Sequence, residues 1–388
     1  MTLPVIIVGA GLAGWSTARE LRKLDSATPL LLITADRGDF YAKPSLSNAF
    51  AQRRTPEQLV GTPAGPMAQT HHVTLVAHTR VLAIDPARGV VTTPGGEFAY
   101  RDLVLATGAQ PIRVPIAGNA ADQVLSVNSL QDFEIFHTRL MNASGAQGHD
   151  KRIVIMGAGL IGCEFANDLA GAGYQVSVVD PAARPLAALL PAPAGEALRD
   201  ALHNLGIAWH FKATVAAVDR PTGTGALQVS LSNGVKVGAE IVLSAIGLRA
   251  DTALAQAAGL ACERGIVVDT ALQTSAAHIY ALGDGAQYAS AGGRTLPFVM
   301  PIMNAARALA ATLAGQRTEL AFPLMPVTVK TPALPIVIAA PTPGLHGEWT
   351  GPEPGLWQFI GTHNRPLGFV LTGPHTARRS EQSRLVQV

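Results

Sequence analysis

The chain has 388 residues, 48% of them hydrophobic and 14% charged, with 29 basic against 27 acidic side chains. A charge balance this close to neutral argues against nucleic acid or an anionic membrane as the main partner. Its two cysteines, Cys163 and Cys262, lie too far apart for a CxxC pair or a zinc knuckle, and two cannot staple so long a chain. Composition therefore excludes a disulfide scaffold, and at about 150 residues per domain the length predicts two or three domains.

The N-terminal segment bears on the compartment. Residues 1–14 are apolar, but the first basic residue is Arg19, so the basic region of a secretory signal is missing. We find no uninterrupted apolar stretch of the roughly 18 residues that a bilayer span needs. We therefore expect a soluble, cytoplasmic protein.

Strands and helices alternate from the start of the chain. Residues 4–8 are apolar and largely β-branched, Gly9 ends that run, a helical pattern covers residues 12–24, and residues 30–33 form the next apolar run. A strand, a helix and a strand at this spacing predict a βαβ unit.

The same pattern returns 148 residues later. An apolar run at 152–156 leads to Gly157, a helical stretch covers about 160–172, and a second strand is predicted at 175–179. Continuous apolar runs of this kind are typical of parallel strands that are buried on both faces. Two further runs, at 103–108 and 240–247, also end in glycine, and the proline-rich stretch at 322–343 indicates a change to a small, β-rich C-terminal region.

Both glycine turns fit the pattern G-x-G-x-x-G, over residues 9–14 and 157–162. The first glycine allows a tight turn, the second lets a pyrophosphate approach the backbone, and the third lets helix and strand pack closely. The helix that follows offers free N–H groups and a partial positive charge to the phosphates. A single match would be weak, but two matches, each between a strand and a helix, predict two dinucleotide sites.

Such sites carry an acidic residue about 20 residues further on, which hydrogen-bonds the ribose. In the first unit the candidate is Asp36, with Thr34 and Ala35 sharing the contact. In the second it is Asp180, 23 residues after Gly157. An acid there repels a 2′-phosphate and favours NADH over NADPH, although Arg184, four residues on, could weaken that preference. Two sites in one chain imply transfer between two dinucleotides, usually bound FAD and a transient NAD(P)H.

Several segments resemble the FAD-dependent pyridine nucleotide-disulfide oxidoreductases and, within them, the NADH-dependent rubredoxin reductases. The segments that carry this resemblance are 8–14, 40–47, 105–109, 157–166 and 279–284, and residues 326–332 resemble the rubredoxin reductases specifically. The resemblance implies an α/β fold like that of glutathione reductase, with two Rossmann-like dinucleotide-binding domains and a small α+β C-terminal domain. We expect an FAD-binding domain at 1–112 and 240–318, an NAD-binding domain at 113–239, and the C-terminal domain at 319–388.

The resemblance also implies the site residues. Those expected to hold the cofactors are Gly9, Ala10, Gly11, Leu12, Gly14, Thr34, Ala35, Asp36, Lys43, Val81, Thr107, Gly108, Gly157, Gly159, Gly162, Glu164, Asp180, Asp284, Val299 and Lys330. Within this set, Val81 would touch the adenine side, Asp284 the ribityl chain or the pyrophosphate, and Val299 the pyrimidine end of the flavin.

Three of these residues are expected to be catalytic: Glu164, Lys43 and Lys330. Lys43 and Lys330 would reach the flavin, and Glu164 would point toward it at the nicotinamide side. Related ferredoxin reductases have Arg where this chain has Lys43, and Lys near Asn48. Because this puts their usual lysine–glutamate pair in doubt, Glu164 is left to pair with either Lys43 or Lys330.

The electron acceptor follows from the missing cysteines. The chain has no CxxxxC pair and no cysteine near residues 40–50, so reduced flavin needs an external acceptor. The resemblance implies rubredoxin or a similar small iron–sulfur electron carrier as the acceptor, for example in alkane hydroxylation, and the short C-terminal region implies a monomer. Two alternatives remain at this point, a ferredoxin reductase of an oxygenase system and a redox-sensing protein that binds FAD and NADH. The 11 histidines show no metal-ligand spacing, so no metal is expected.

Overall fold

A computed structural model describes residues 2–143, 151–223 and 225–386. The helices of these ranges are α1 Leu12–Leu24, α2 Ala64–Thr70, α3 Leu130–Asn142, α4 Leu160–Gly171, α5 Ala192–His203, α6 Ala253–Ala257, α7 Val299–Leu313 and α8 Arg379–Leu385. The strands are β1 Val5–Val8, β2 Leu30–Ile33, β3 Phe40–Tyr41, β4 Val60–Thr62, β5 Val73–Val76, β6 Ala83–Asp85, β7 Val90–Thr93, β8 Gly96–Ala99, β9 Asp102–Leu105, β10 Ala109–Pro111, β11 Arg152–Met156, β12 Gln175–Asp180, β13 Ala208–Phe211, β14 Val215–Asp219, β15 Leu227–Leu231, β16 Lys236–Ala239, β17 Ile241–Ser244, β18 Leu248–Ala250, β19 Ile266–Val268, β20 Ile279–Ala281, β21 Ala286–Tyr288, β22 Val327–Val329, β23 Ile336–Ala339, β24 Gly347–Glu353, β25 Leu356–Gly361 and β26 Pro366–Thr372.

The chain forms two compact units. The first unit comprises Met1–Ala42, Val60–Gln110 and Leu248–Pro323, and the second unit comprises Lys43–Leu59, Pro111–Gly247 and Leu324–Val388. The three domains predicted from the sequence remain a prediction.

The first unit is built on a parallel five-stranded sheet in the order β20-β9-β1-β2-β5. Its central strand β1 is buried along its whole length, as is typical of parallel sheets that are covered on both faces. Helix α1 contacts α7, where Ser16 Oγ donates to Met303 Sδ at 3.4 Å. The helix predicted over 12–24 is confirmed at both ends.

The second unit repeats this design. A parallel sheet in the order β13-β12-β11-β17 carries α4 after β11, and an antiparallel sheet, β14-β15-β16, is inserted in the chain between β13 and β17. The antiparallel sheet β6-β7-β8 has the corresponding place between β5 and β9 in the first unit. Helix α4 was predicted over about 160–172 and ends at Gly171. Helix α3 begins with a capping box in which Ser129 and Asp132 each accept the other's backbone N–H.

The C-terminal part of the second unit is an antiparallel five-stranded sheet, β22-β23-β26-β25-β24, followed by α8. The predicted change to a small β-rich region is therefore confirmed, as is the α/β fold class with two dinucleotide-type sheets. In the described part of the chain, none of the helices has the length and apolarity that crossing a membrane requires.

Candidate functional site

The predicted residues of the first unit gather at the carboxyl edge of its parallel sheet. Gly9 follows β1, Thr34 follows β2, Thr107 lies just after β9, and Gly283 lies just after β20. Ligands of open α/β sheets bind at this edge, where the strands end and the loops meet. The fold thus places the first G-x-G-x-x-G turn, residues 34–36 and Asp284 at the same edge of the sheet.

Each glycine of the first turn has its own steric reason. Gly9 has a φ of +109°, and a Cβ there would lie 2.3 Å from the carbonyl oxygen of Ala106. A Cβ at Gly14 would lie 1.9 Å from the carbonyl oxygen of Gly9, so only glycine lets α1 pack this closely. A Cβ at Gly11 would meet none of the described atoms within 4 Å. The open space at Gly11 is where a pyrophosphate needs room.

The start of helix α1 fits an anion. Gly11 is its N-cap, and in the described structure no side chain accepts a hydrogen bond there. The first N–H groups of the helix therefore remain available at its positive end. The residues present fit the pyrophosphate of FAD: an uncapped helix start beside a glycine with free space.

The loop after β2 holds its own acid. Asp36 Oδ1 accepts hydrogen bonds from Thr34 Oγ1 at 2.6 Å and from the Gly38 backbone at 2.9 Å. The Gly38 carbonyl in turn accepts from the buried Trp15 Nε1 of α1 at 2.9 Å. Residues 34–38 are thus anchored to the helix of the glycine turn, with Ala35 exposed between Thr34 and Asp36.

The remaining predicted contacts of the first unit occupy loops and one helix end. Thr107 Oγ1 donates to the Asp251 carbonyl at 3.0 Å, and Gly108 follows with a φ of +71°. Asp284 is the middle residue of the 3₁₀ turn Gly283–Gly285. Val299 is the first residue of α7, as predicted, and Val81 is buried.

The second glycine turn has the same stereochemistry as the first. Gly157 has a φ of +101°, and a Cβ there would lie 2.6 Å from the carbonyl oxygen of Ala245. A Cβ at Gly162 would lie 1.9 Å from the Gly157 carbonyl oxygen, whereas one at Gly159 would meet none of the described atoms within 4 Å. Gly159 is also the N-cap of α4 without a side-chain cap in the described structure. A second pyrophosphate therefore fits at this corner.

Asp180 ends β12 beside this corner. Its Oδ2 accepts from the Ala158 backbone N–H at 2.6 Å, and its Oδ1 accepts from the Ala182 N–H at 2.7 Å. The carboxylate is thus fixed against the turn that would hold the pyrophosphate. Arg184 is turned to its own loop, since its guanidinium donates to the Leu190 carbonyl at 3.4 Å.

A buried ion pair lies one turn into helix α4. The Glu164 carboxylate pairs with Lys330 Nζ and also accepts from the Lys330 backbone N–H at 3.0 Å. Ser47 Oγ donates to Glu164 Oε2 at 2.6 Å and accepts from Lys330 Nζ at 2.9 Å. The side chain of Glu164 is only 5% exposed, so these hydrogen bonds are what make its burial tolerable.

The structure therefore resolves the partner of Glu164. Of the two lysines left open by the sequence, Lys330 pairs with it, while Lys43 Nζ contacts Asn128 Oδ1 at 3.3 Å. Asn48, which stands near the position of the usual lysine, has a buried Oδ1 without a partner among the described residues.

Two further side chains of α4 bond to the segments that carry Ser47 and Lys330. Asp168 accepts from the backbone N–H groups of Phe50 and Ala51, both at 2.9 Å, and burial raises its pKa. Asn167 Oδ1 accepts from the Ala333 N–H at 3.1 Å. Helix α4, which starts at the second glycine turn, thus forms hydrogen bonds with residues 50–51 and with residue 333.

The structure also defines the surroundings of Cys163 and Arg378. Cys163 is fully buried, its Sγ donates to the Ala158 carbonyl at 3.3 Å, and burial raises its thiol pKa. Near the C terminus, Arg378 pairs with Glu353 and Glu381. Among the residues that the structure describes, no group of His, Cys, Asp or Glu could hold a metal.

Sequence reasoning missed several residues with defined positions. The sequence assigns no role to Ser47, although it lies in the resembling segment 40–47, and none to Asp168, Asn128 or Tyr288. Only a three-dimensional arrangement brings Ser47 to Glu164, 117 residues away in the chain. The one available signal was that Ser47 lies in the resembling segment 40–47.

A fold with two such sheets, each with its own pyrophosphate corner, defines a two-dinucleotide oxidoreductase. The comparisons with known proteins agree with this class. Residues 3–311 match the family model of the pyridine nucleotide-disulphide oxidoreductases, and residues 319–385 match that of the rubredoxin binding C-terminal domain. The chain belongs to the pyridine nucleotide-disulphide oxidoreductase family, and it is an oxidoreductase that uses FAD and NAD(H).

The relatives and solved structures extend this result over nearly the whole chain. The protein is 42% identical over 373 residues, 95% of either chain, to the rubredoxin-NAD(+) reductase of Alcanivorax borkumensis. It is 44% identical over 345 residues, 89% of this chain and 86% of the other, to the nitric oxide reductase FlRd-NAD(+) reductase of Aeromonas salmonicida. The reductase in the covalent putidaredoxin reductase–putidaredoxin complex is similar with a TM-score of 0.87 at 25% identity, covering 99% of this chain and 93% of that one. The ferredoxin reductase for the CYP199A2 system of Rhodopseudomonas palustris is similar with a TM-score of 0.86 at 26% identity, covering 99% and 95%.

Proposed function

We propose that this protein oxidises NADH and passes the electrons to rubredoxin. The observation that carries the proposal is the match of residues 319–385 to a rubredoxin-binding C-terminal domain. The relative from Alcanivorax borkumensis, similar over 95% of both chains, bears the name of this activity. The expected role of rubredoxin thus rests on the C-terminal region, independently of the glycine turns.

Bound FAD supplies the step that a protein side chain cannot, which is to accept a hydride from NADH and release its two electrons to a one-electron carrier. The chain's own contribution is binding and orientation. The open spaces at Gly11 and Gly159 and the uncapped helix starts would seat the two pyrophosphates. Asp180 would accept from the ribose of NADH and repel the 2′-phosphate of NADPH.

The Arg184 contacts support this preference for NADH. Its guanidinium donates to the Leu190 carbonyl, and its Cδ would lie 2.9 Å from a Cβ at Gly195, so it is packed within residues 184–195. A guanidinium held in that way is a poor partner for a 2′-phosphate. We therefore expect Asp180 to decide nucleotide choice in this protein.

Hydrogen bonds from the C-terminal region to α4 support a role for that region in holding the helix that would bind NADH. Glu164 and Asn167 accept from the backbone N–H groups of Lys330 and Ala333, respectively. The helix that would bind the nicotinamide nucleotide is therefore bonded to residues 330–333 within the rubredoxin-binding match. The roles of Glu164, Lys43 and Lys330 at the flavin, and those of Val81, Asp284 and Val299, remain predictions of the family resemblance.

A second candidate, a ferredoxin reductase of an oxygenase system, is favoured by the structural similarity to the Rhodopseudomonas palustris reductase. The experiment that separates the two is anaerobic turnover of NADH with purified rubredoxin, a [2Fe–2S] ferredoxin and a disulfide such as oxidised glutathione. We expect the highest kcat/KM with rubredoxin and none with the disulfide. Faster turnover with ferredoxin would support the second candidate, and turnover with the disulfide alone would refute both. The cytoplasmic location, the monomeric state and the supply of electrons to alkane hydroxylation remain predictions.

A further inference from the structure

A buried tyrosine of the first unit contacts the backbone beside Asp284. Tyr288 is fully buried at the end of β21, and its hydroxyl oxygen lies 2.7 Å from the Gly283 nitrogen and 3.2 Å from the Gly283 carbonyl oxygen. The hydroxyl accepts from the N–H and donates to the carbonyl, so one side chain satisfies both polar groups of one residue. Burial raises the pKa of the Tyr288 phenol, which keeps the donor proton in place.

The turn that Tyr288 holds is wedged between two parts of the FAD corner. A Cβ at Gly283, which has a φ of +86°, would lie 2.9 Å from Ala13 Cβ in the first turn of α1. A Cβ at Gly285 would lie 2.9 Å from the carbonyl oxygen of Gly108. Asp284 therefore supplies the only side chain of a turn whose two neighbours are glycines, and glycine has the most conformational freedom to lose.

The tyrosine is itself rigidly held. Its ring packs edge-to-face on Phe322, with centroids 5.2 Å apart and an interplanar angle of 87°. Its backbone N–H donates to the Arg294 carbonyl at 3.0 Å, and its carbonyl accepts from Gly293 at 2.9 Å. A fixed phenol bonded to a glycine-rich turn is an arrangement that pre-sets the turn before a ligand arrives.

We propose that Tyr288 is a positioning residue that fixes the Gly283–Gly285 turn and so presets Asp284 for the ribityl and flavin half of FAD. The proposal rests on FAD as the cofactor of this corner. Without the hydroxyl, the turn samples other conformations and leaves a buried N–H unpaired. The fraction of molecules competent to bind then falls, and the apparent affinity for FAD falls with it.

The test compares two phenylalanine variants of the full-length protein. Tyr288→Phe keeps the ring and removes the hydroxyl. Tyr100→Phe is the matched control, because the Tyr100 hydroxyl is also buried in the first unit but has no partner among the described residues. Both proteins are depleted of flavin and titrated with FAD, followed by flavin fluorescence, and ADP is then used to displace FAD. ADP carries the adenosine and pyrophosphate of FAD but lacks its ribityl chain and flavin.

We expect Tyr288→Phe to weaken FAD binding about five- to 100-fold, the cost of one unpaired buried group, with ADP affinity unchanged. Tyr100→Phe should bind both ligands like the wild type. Should Tyr288→Phe be too unstable when flavin-free, the rate of FAD release from the holoenzyme measures the same difference. FAD affinity or release equal to that of Tyr100→Phe would overturn the proposal, and so would an equal loss for ADP and FAD. Failure of the wild type to bind FAD would instead refute the cofactor assignment.

Discussion

Replacing Lys330 by methionine tests the buried pair of the second unit. Methionine keeps the length of the side chain and its apolar stem but removes the ammonium group that pairs with Glu164. The carboxylate then keeps its bonds from Ser47 Oγ and from the backbone of residue 330 but loses its cation. The companion variant Glu164→Gln, combined with Lys330→Met, removes both charges and leaves the shape nearly unchanged.

The magnitude follows from the burial of the two partners. Breaking a buried pair from one side costs about 3–5 kcal/mol, because the other charge stays buried and unpaired. The Lys330 side chain is 27% exposed, against 5% for Glu164, so solvent reaches part of the pair. We therefore expect Lys330→Met to lower the free energy of unfolding by about 2–4 kcal/mol, and the double variant to recover more than half of that loss.

Urea unfolding followed by tryptophan fluorescence measures this effect, because Trp209, Trp349 and Trp357 all belong to the second unit. Lys236→Met, at an exposed lysine of the same unit, is the matched control and should change stability by less than about 0.5 kcal/mol. If Lys330→Met is as stable as that control, or if the double variant is less stable than Lys330→Met, the buried pair does not have the energetic role argued above.

Three further predictions concern the second unit. Gly159→Ala should raise the KM for NADH at least about ten-fold without a change in melting temperature, because its Cβ fills only the space for a pyrophosphate; a lower melting temperature with an unchanged KM would contradict this. Cys163 should resist iodoacetamide until the protein unfolds, because burial raises its thiol pKa, and mass spectrometry of the alkylated peptide would show any native reaction. Burial lowers the pKa of His137, which stacks on Phe50, below its ordinary 6.5, so the unfolded state binds more protons and stability falls as the pH drops below about 6.5. His137→Phe should reduce the fall in melting temperature between about pH 6.5 and lower pH. An unchanged fall would show that other groups cause it.

The features of the candidate site whose positions in the fold follow from the sequence are those set by local chain geometry. A glycine turn between a buried strand and a helix depends on neighbours within about 20 residues, so its position and the ends of α1 follow from the pattern. The position of Asp180 at the end of β12 follows for the same reason, because it lies at a fixed distance in the sequence from the glycine turn.

The contacts that could not be predicted join distant segments. Ser47, Glu164 and Lys330 meet across separations of 117 and 166 residues, and no periodicity in the sequence encodes which lysine reaches the carboxylate. The contact of the Tyr288 hydroxyl with Gly283 could not be predicted either, because it depends on the orientation of a ring that packs on Phe322.

The most direct test of the whole account is an anaerobic titration of rubredoxin by NADH, with the protein present in catalytic amount. The absorbance of NADH and that of oxidised rubredoxin are both recorded. A hydride carries two electrons and rubredoxin accepts one, so each NADH consumed should bleach two oxidised rubredoxins, and flavin-depleted protein should bleach none until FAD is restored. NADH consumption that leaves rubredoxin oxidised, or rubredoxin reduction that proceeds equally well without flavin, would contradict it.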